Sequence, residues 1–345
     1  MNLKDLADQL NLSPTTVSRA LNGYPEVSEV TRARVEDAAR RYNYRPNTQA
    51  KRLATGRAMA IGHVIPISTQ HEIVNPVFAD FIAGAGEVYA RSGYDLLMTI
   101  VPDEDQDRIY REIRSKRNVD GCIVHSPKMA EPRIGLLREL GLPFVVHGRA
   151  TLETGPYSWV DMNNIRAFHR ATEFLIDLGH RRIALINGIE TMDFAHRRRL
   201  GFEQALAARG VQADPGLMAS GEMTEAQGYH EAMAMLAGPQ RPTAFLTSSL
   251  LSAMGVRRAL GDLGLVLGRD VSIVTHDDDL SYLRNGGDEP IFTATRSSVR
   301  DAGRRCARLL LRQIELGKAA VPKPVGELLE APLIVGASTG PAPGV

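Results

Sequence analysis

The sequence predicts an α/β protein: an N-terminal helix-turn-helix head followed by two Rossmann-like subdomains. Three observations carry this. Leu3, Leu6, Ala7 and Leu10 recur at helical spacing just before a polar break and a second short helix. From Met59 the texture changes to short, apolar, β-branched segments alternating with helical ones, which implies parallel strands covered by helices on both faces. The same alternation restarts near Ser158, so two successive sheets are expected.

In the head, Asn11-Leu12 breaks the first helix. Ser13 is a good N-cap, and Pro14 occupies the first helical position, where a missing N–H costs nothing. The second helix runs to about Leu21, with Gly23 at its exit. Val17 and Leu21 face the first helix. Thr15, Thr16, Ser18, Arg19 and Asn22 are left outside, a set of short polar side chains and one Arg suited to phosphates and base edges in a DNA major groove. Ser28 caps a third helix with Val35, Ala38, Ala39 and Tyr42 inward, and Pro46 ends the unit. Asn47 then opens NTQAKRLATGR, too short for a stable helix alone.

In the body, strand MAIGHVIPI is followed by a helix presenting Phe78, Phe81, Ile82, Ala85, Val88 and Tyr89. Then come strand DLLMTIV, a polar helix, strand VDGCIVHS, helix RIGLLREL and strand PFVVHG. The second series has helices Ile165–Leu178 and Ala195–Arg209, helix Ala226–Leu236, strand PTAFLTS, helix Leu250–Leu263 and strand VSIVTHD. The last stretch has strand IFTATR, helix Val299–Leu316 and strand PLIVGAST, and the tail GPAPGV reads as disordered. Gly84 and Gly86 lie within a helix pattern and read as close-packing positions, not as a phosphate loop.

Charge is distributed unevenly. The formal net charge is only +1, yet up to Arg57 there are ten Lys/Arg against six Asp/Glu. A basic head on a mildly acidic body fits a DNA-binding unit fused to something else. Cys122 and Cys306 lie far apart in apolar contexts, as buried free thiols do. MNLKDLADQL lacks a signal pattern and no apolar run reaches membrane-spanning length, so a cytoplasmic protein is expected.

The runs SPTTVSRALNG, VSEVTRARVEDAARRYNYRPN and AKRLATGR resemble the N-terminus of the lactose-repressor (LacI-type) family of bacterial regulators, and the resemblance extends to about Ser338. It implies a DNA-binding domain over 1–46, with Ser13, Pro14, Thr15, Thr16, Ser18, Arg19 and Asn22 at the operator. It implies a hinge over 47–57 that folds on DNA, with Asn47 as its cap and Leu53-Ala54 as the minor-groove wedge. The body, 58–345, would be of the periplasmic-binding-protein type. Its N-subdomain spans about 58–161 and 288–318 and its C-subdomain about 162–287 and 319–339, joined by crossovers near Met162, Gly287–Phe292 and Gly317–Pro322.

Ligands in such sheets bind beyond the carboxyl ends of the strands. Those ends supply His125-Ser126, His147-Gly148, Asn187, Thr247-Ser248-Ser249 and His276-Asp277-Asp278, without metal-type or GxSxG spacing. The resemblance implies effector contacts from Arg198 in HRRRLGF, Asp277 in VTHDDD and an aromatic, Phe78, on the first body helix. Ser248, Ser297 and His147 stand where the family often carries amide or acidic residues. Fork, carboxylate and aromatic face suit a sugar; the departures leave a roomier, less acidic pocket that suits a disaccharide or an anionic sugar, and an α-glucoside-type disaccharide is the expected effector. The partners implied are a near-palindromic operator, a small carbohydrate and a second copy of the chain, with no cofactor, metal or membrane. Two other readings stay open: a regulator triggered by a partner protein with a vestigial cleft, and a sugar-processing enzyme fused to a DNA-binding head. Arg198 and Asp277 also admit a purely structural ion pair.

Overall fold

A computed structural model describes residues 1–21, 23–44, 56–66, 75–102, 105–317 and 323–344. The expected contacts of Asn22, Asn47, Leu53 and Ala54 lie outside these, as does most of the 47–57 hinge.

In the head, α1 (Leu3–Leu10) opens with a capping box. Asn2 Oδ1 accepts from the Asp5 amide at 3.0 Å, and the Asn2 amide donates to Asp5 Oδ2 at 2.9 Å. Asn11 takes a left-handed conformation, φ 51°, which turns the chain sharply. The Ser13 hydroxyl then accepts from the Thr16 amide at 3.0 Å and starts α2 (Pro14–Leu21). Ser28 caps α3 (Glu29–Arg41) in the same way, through the Thr31 amide. Leu6, Ala7, Leu10, Val17, Ala20, Val27, Val35, Ala38 and Ala39 close the core. Arg34 donates to the Leu10 carbonyl at 2.7 Å, tying α3 to the end of α1.

The aromatic that completes this core is not Tyr42. The helix stops at Arg41, Tyr42 is 42% exposed, and Asn43, at φ 48°, turns the chain so that Tyr44 packs back instead.

In the body, the first sheet is ordered β11-β5-β4-β3-β1-β2. Its strands are β1 (Ala60–Pro66), β2 (Asp95–Val101), β3 (Gly121–Val124), β4 (Phe144–His147), β5 (Trp159–Met162) and β11 (Gly326–Leu329). All pairings in it are parallel. Its helices are α4 (Pro76–Ser92), α5 (Gln106–Lys116), α6 (Pro132–Leu140) and α11 (Val299–Leu316). The second sheet is ordered β12-β10-β9-β8-β6-β7. It comprises β6 (Ile183–Asn187), β7 (Met218–Ser220), β8 (Ala244–Thr247), β9 (Ser272–Asp277), β10 (Thr293–Arg296) and the antiparallel β12 (Leu333–Ile334). It is flanked by α7 (Asn164–Asp177), α8 (Asp193–Ala208), α9 (Glu225–Ala237) and α10 (Leu250–Asp262). Strands such as Ile183–Asn187, apolar up to a terminal Asn, are buried along their whole length, as sheets covered on both faces require.

The subdomain boundaries differ from the expected ones. Strand β10 pairs with β9 in register Thr293↔Val274, so the chain remains in the second subdomain until Arg296 and crosses at Ser297-Ser298. Strand β11 pairs with β5 in register Gly326↔Trp159, so the third crossover follows Leu329. The first subdomain is therefore 60–162 with 298–329, and the second 163–297 with 330–344. The expected segments 288–318 and 319–339 each misassign one strand.

Helices pack at backbone distance through glycines. A Cβ on Gly84 would lie 2.0 Å from the Arg300 carbonyl oxygen, and one on Gly303 2.2 Å from that of Phe81, which draws α4 against α11. Gly201 approaches Ile165, and Gly228 and Gly255 approach Ser252 and Glu225 in the same manner. Gly86 has open space around it and is not a packing glycine. The described part of the tail, up to residue 344, is docked where the sequence reads as disordered: the Ala342 amide donates to the Leu178 carbonyl at 2.9 Å, and the Gly340 amide to Ser272 Oγ at 3.1 Å. Both cysteines are buried and free.

Candidate functional sites: the recognition helix and the cleft

On α2, Ser13, Pro14, Thr15 and Arg19 are exposed, while Thr16 and Ser18 are half-buried. Val17 and Ala20 anchor the opposite face in the core. The Ser13 hydroxyl is engaged in capping, and it also shares a hydrogen bond with Thr16 Oγ1 at 2.8 Å. Thr15 and Arg19 are thus the exposed polar side chains of α2 that make no capping bond among the described residues.

In the body, a cavity of about 360 Å³ lies between the two subdomains. Every strand end around it is a carboxyl end. His125 and Ser126 follow β3, His147 closes β4, Asp278 follows β9 and Ser297 follows β10. This is where an open parallel sheet places its ligands.

The first subdomain contributes an aromatic and imidazole wall. Phe78 and Phe81 meet His125 edge-on at 5.1 and 4.9 Å between ring centroids, and Phe81 lies over His147 at 4.3 Å. Burial pushes His147 down to about 4 and His125 well below the ordinary histidine range, so both rings are neutral donors or acceptors.

The second subdomain contributes charge. Arg198, 5% exposed, donates from Nε to Asn164 Oδ1 at 2.8 Å and from Nη1 to the Ser248 carbonyl at 2.6 Å. Phe168 and Phe194 flank its guanidinium at 5.1 and 5.0 Å. Burial lowers its pKa to about 10, so it remains charged at neutral pH, and it forms no ion pair among the described residues. Facing it are Asp278 and Asp161. Asp278 sits 3.4 Å from His276 Nε2. Burial alone would raise its pKa; His276, Arg198 and His147 outweigh that and hold it ionised. His276 is itself oriented by Thr295 Oγ1 at 3.1 Å.

Phe78, His125, His147, Arg198 and Ser297 therefore line one cavity. Asp277 and Ser248 do not. Strand β9 ends at Asp277, whose Oδ1 accepts from the Asp279 amide at 2.9 Å, and the turn at Asp279 (φ 55°) brings the next residue, Asp278, into the cleft. Ser248 donates to Asn187 Oδ1 at 2.6 Å and lies beneath Arg198, touching it only through its carbonyl. No structural pair joins Arg198 to Asp277. Sequence reasoning placed Asp278 among the ligand-facing strand ends but gave the effector role to Asp277, and it missed Asp161, Asn164 and Phe81 as cavity residues. The Asp-Met-Asn-Asn run at the first crossover was the one available signal for two of them.

A helix-turn-helix head joined to a two-lobed body with a cleft lined by aromatic, imidazole and charged side chains is the architecture of a ligand-responsive class of DNA-binding regulator. The chain belongs to the LacI family. Residues 2–47 match the model of bacterial regulatory proteins of the lacI family, and residues 172–339 match the periplasmic binding protein-like domain. The HTH-type transcriptional regulator AglR of Rhizobium meliloti (strain 1021) is 44% identical over 343 residues, 99% of this chain and 95% of that one. Among solved structures, a transcriptional regulator CelR–cellobiose complex is 28% identical and superposes with a TM-score of 0.71, covering 98% of this chain and 99% of that one. The Lac repressor bound to ONPG is 25% identical, with a TM-score of 0.78 and coverage of 98% and 99%. Among the described residues no helix is long and apolar enough to cross a membrane.

Proposed function

We propose that this protein is a homodimeric repressor whose operator affinity is controlled by a small carbohydrate, of disaccharide size, bound in the cleft of the body. The observation that carries the reading is the buried guanidinium of Arg198, free of any carboxylate partner among the described residues and opposed across the cavity by neutral aromatic and imidazole rings. A fork of donors, one ionised carboxylate and a flat apolar wall match a ring that carries hydroxyls on its edge and C–H groups on its face. The volume is in the range of small-molecule sites. The cellobiose in the CelR structure supports a disaccharide, and an α-linked glucoside stays our expectation for its linkage. A dimer follows from the two-fold symmetry of a near-palindromic operator.

Ligand bound to both lobes biases their arrangement only through its differential contacts with the two states, and operator affinity changes by the same coupling energy. The decisive experiment titrates operator binding by the full-length chain against a panel of α- and β-linked disaccharides. Release of operator by one of them at saturating concentration is expected. Unchanged operator affinity across the panel, with a partner protein altering it instead, would transfer the trigger to that partner.

A further inference from the structure

Behind the cleft wall lies a chain of three polar side chains that the effector reading does not use. His63 stands on β1, beside β3 in register with Ile123, and is fully buried. Its Nδ1 lies 2.9 Å from Nε2 of His125, and the rings are stacked at 5.1 Å. Its Nε2 lies 3.2 Å from the hydroxyl of Tyr89 on α4, which is 1% exposed. Only His125 reaches the cavity, and its bond to His63 leaves Nδ1 as its remaining polar atom.

Each neutral imidazole holds one proton, so the chain has two internally consistent states. In one, Tyr89 donates to His63 Nε2, His63 Nδ1–H donates to His125 Nε2, and His125 keeps its proton on Nδ1. In the other, every bond is reversed and His125 Nδ1 is bare. The reversed state turns the Tyr89 hydroxyl into an acceptor, and its own hydrogen then needs a second partner. Among the described residues its one hydrogen-bond partner is His63, and the titratable groups close to it are the thiols of Cys122 and Cys306, whose sulfurs are weak acceptors. A buried donor left unbonded is costly, so the first state wins.

We propose that Tyr89 and His63, neither of which lines the cavity, fix the tautomer of His125 so that its Nδ1–H is a permanent hydrogen-bond donor into the cleft, selecting ligands that present an acceptor oxygen to the first subdomain. The selection rests on the cleft being the effector site; the tautomer does not. Burial keeps both imidazoles neutral, holding His63 down to about 3, so the relay persists through the physiological range. Tyr89 and His63 are positioning residues: they act on ligand through His125.

The test is made on full-length protein labelled with 15N-histidine and with no sugar added. Long-range proton–nitrogen correlation reports which ring nitrogen carries each proton. Nδ1–H on both His63 and His125 is expected. In Tyr89→Phe, which removes the hydroxyl that breaks the symmetry, the single-tautomer signature of His125 should be lost. An Nε2–H tautomer at His125 in the unmodified protein overturns the proposal, and so does an Nδ1–H signature unchanged in Tyr89→Phe. Calorimetry with cellobiose and maltose on the same samples reports the effector reading separately. The stated tautomers with no sugar bound would sink the sugar and leave the relay standing.

Discussion

Asp80, on the first body helix, clamps Ser281 of the opposite subdomain with both carboxylate oxygens. Oδ2 accepts from the Ser281 amide at 2.7 Å and Oδ1 from its hydroxyl at 2.8 Å. Asp80 is 5% exposed, and Arg300 approaches it at 3.7 Å. Asp80→Ala removes two charge-assisted hydrogen bonds between the lobes and should cost at least the roughly 1.5–3 kcal/mol of one such bond. Chemical denaturation of the full chain checks it. An unchanged midpoint would mean that the clamp contributes nothing net.

Arg198→Ala should weaken effector binding by at least the 1.5–3 kcal/mol of one hydrogen bond to a charged group, because a guanidinium fork makes two. It should leave operator binding in the absence of effector intact. The check is operator affinity against effector concentration. A wild-type response would make Arg198 a structural residue of the second subdomain.

Neighbouring aspartates separate cleft from scaffold. Asp278→Asn should cost about 1.5–3 kcal/mol of effector affinity, while Asp277→Asn, outside the cavity, should leave affinity near wild type. Calorimetry on the two variants decides. Equal losses would return Asp277 to the site.

In the head, Arg19→Ala should cost roughly 1–3 kcal/mol of specific operator affinity and relax one base position. Selection of binding sites from random DNA reads this out. A base preference identical to wild type would confine Arg19 to phosphate contact.

The pH dependence has a definite sign. His63 and His147 are held by burial at about 3 and about 4, against 6.5 for a free histidine. Below pH 6.5 the unfolded chain binds protons that the folded chain refuses, so the stability of the body falls as pH falls. Each of the two removes about 1.4 kcal/mol per pH unit until its folded pKa is reached. Thermal unfolding between pH 7 and pH 5 should show this decline, and replacing His63 by Gln should make it shallower while the remaining buried histidines keep part of it. A constant melting temperature over that window would count against neutral buried rings.

Local signals were legible and long-range ones were not. The helix-turn-helix is written in a dozen adjacent residues, because capping and a two-helix core are local. Periodicity points to Tyr42 where the fold uses Tyr44, because the helix ends at Arg41 and a left-handed Asn43 redirects the chain, which periodicity does not report. Strand β11 was invisible: its sequence, GELL, has half-exposed alternation and no apolar run, and it becomes a strand only by adding to the edge at β5. That one omission displaced the third crossover. Among three consecutive aspartates, the family pattern selected Asp277, whereas the backbone turn at Asp279 selects Asp278. Ser248 was named for its place at a strand end, but its hydroxyl is consumed by Asn187 from the neighbouring strand.

The glycine contacts hold the helices of each lobe together at backbone distance, and the three places where the chain passes between lobes are free of them. Met162 and Asn164 at the first passage, Ser297 and Ser298 at the second and Leu329 at the third all border the cavity. A guest bound in the cleft, as proposed, would touch all three passages directly and would need no lever arm to change the angle between the lobes. Bulk added to the guest near Ser297 or Asn164 should alter the angle of opening, whereas bulk added at the cavity mouth should alter only how tightly it is held. Agonist and antagonist chemistry would then be distinguished by position on the same sugar ring.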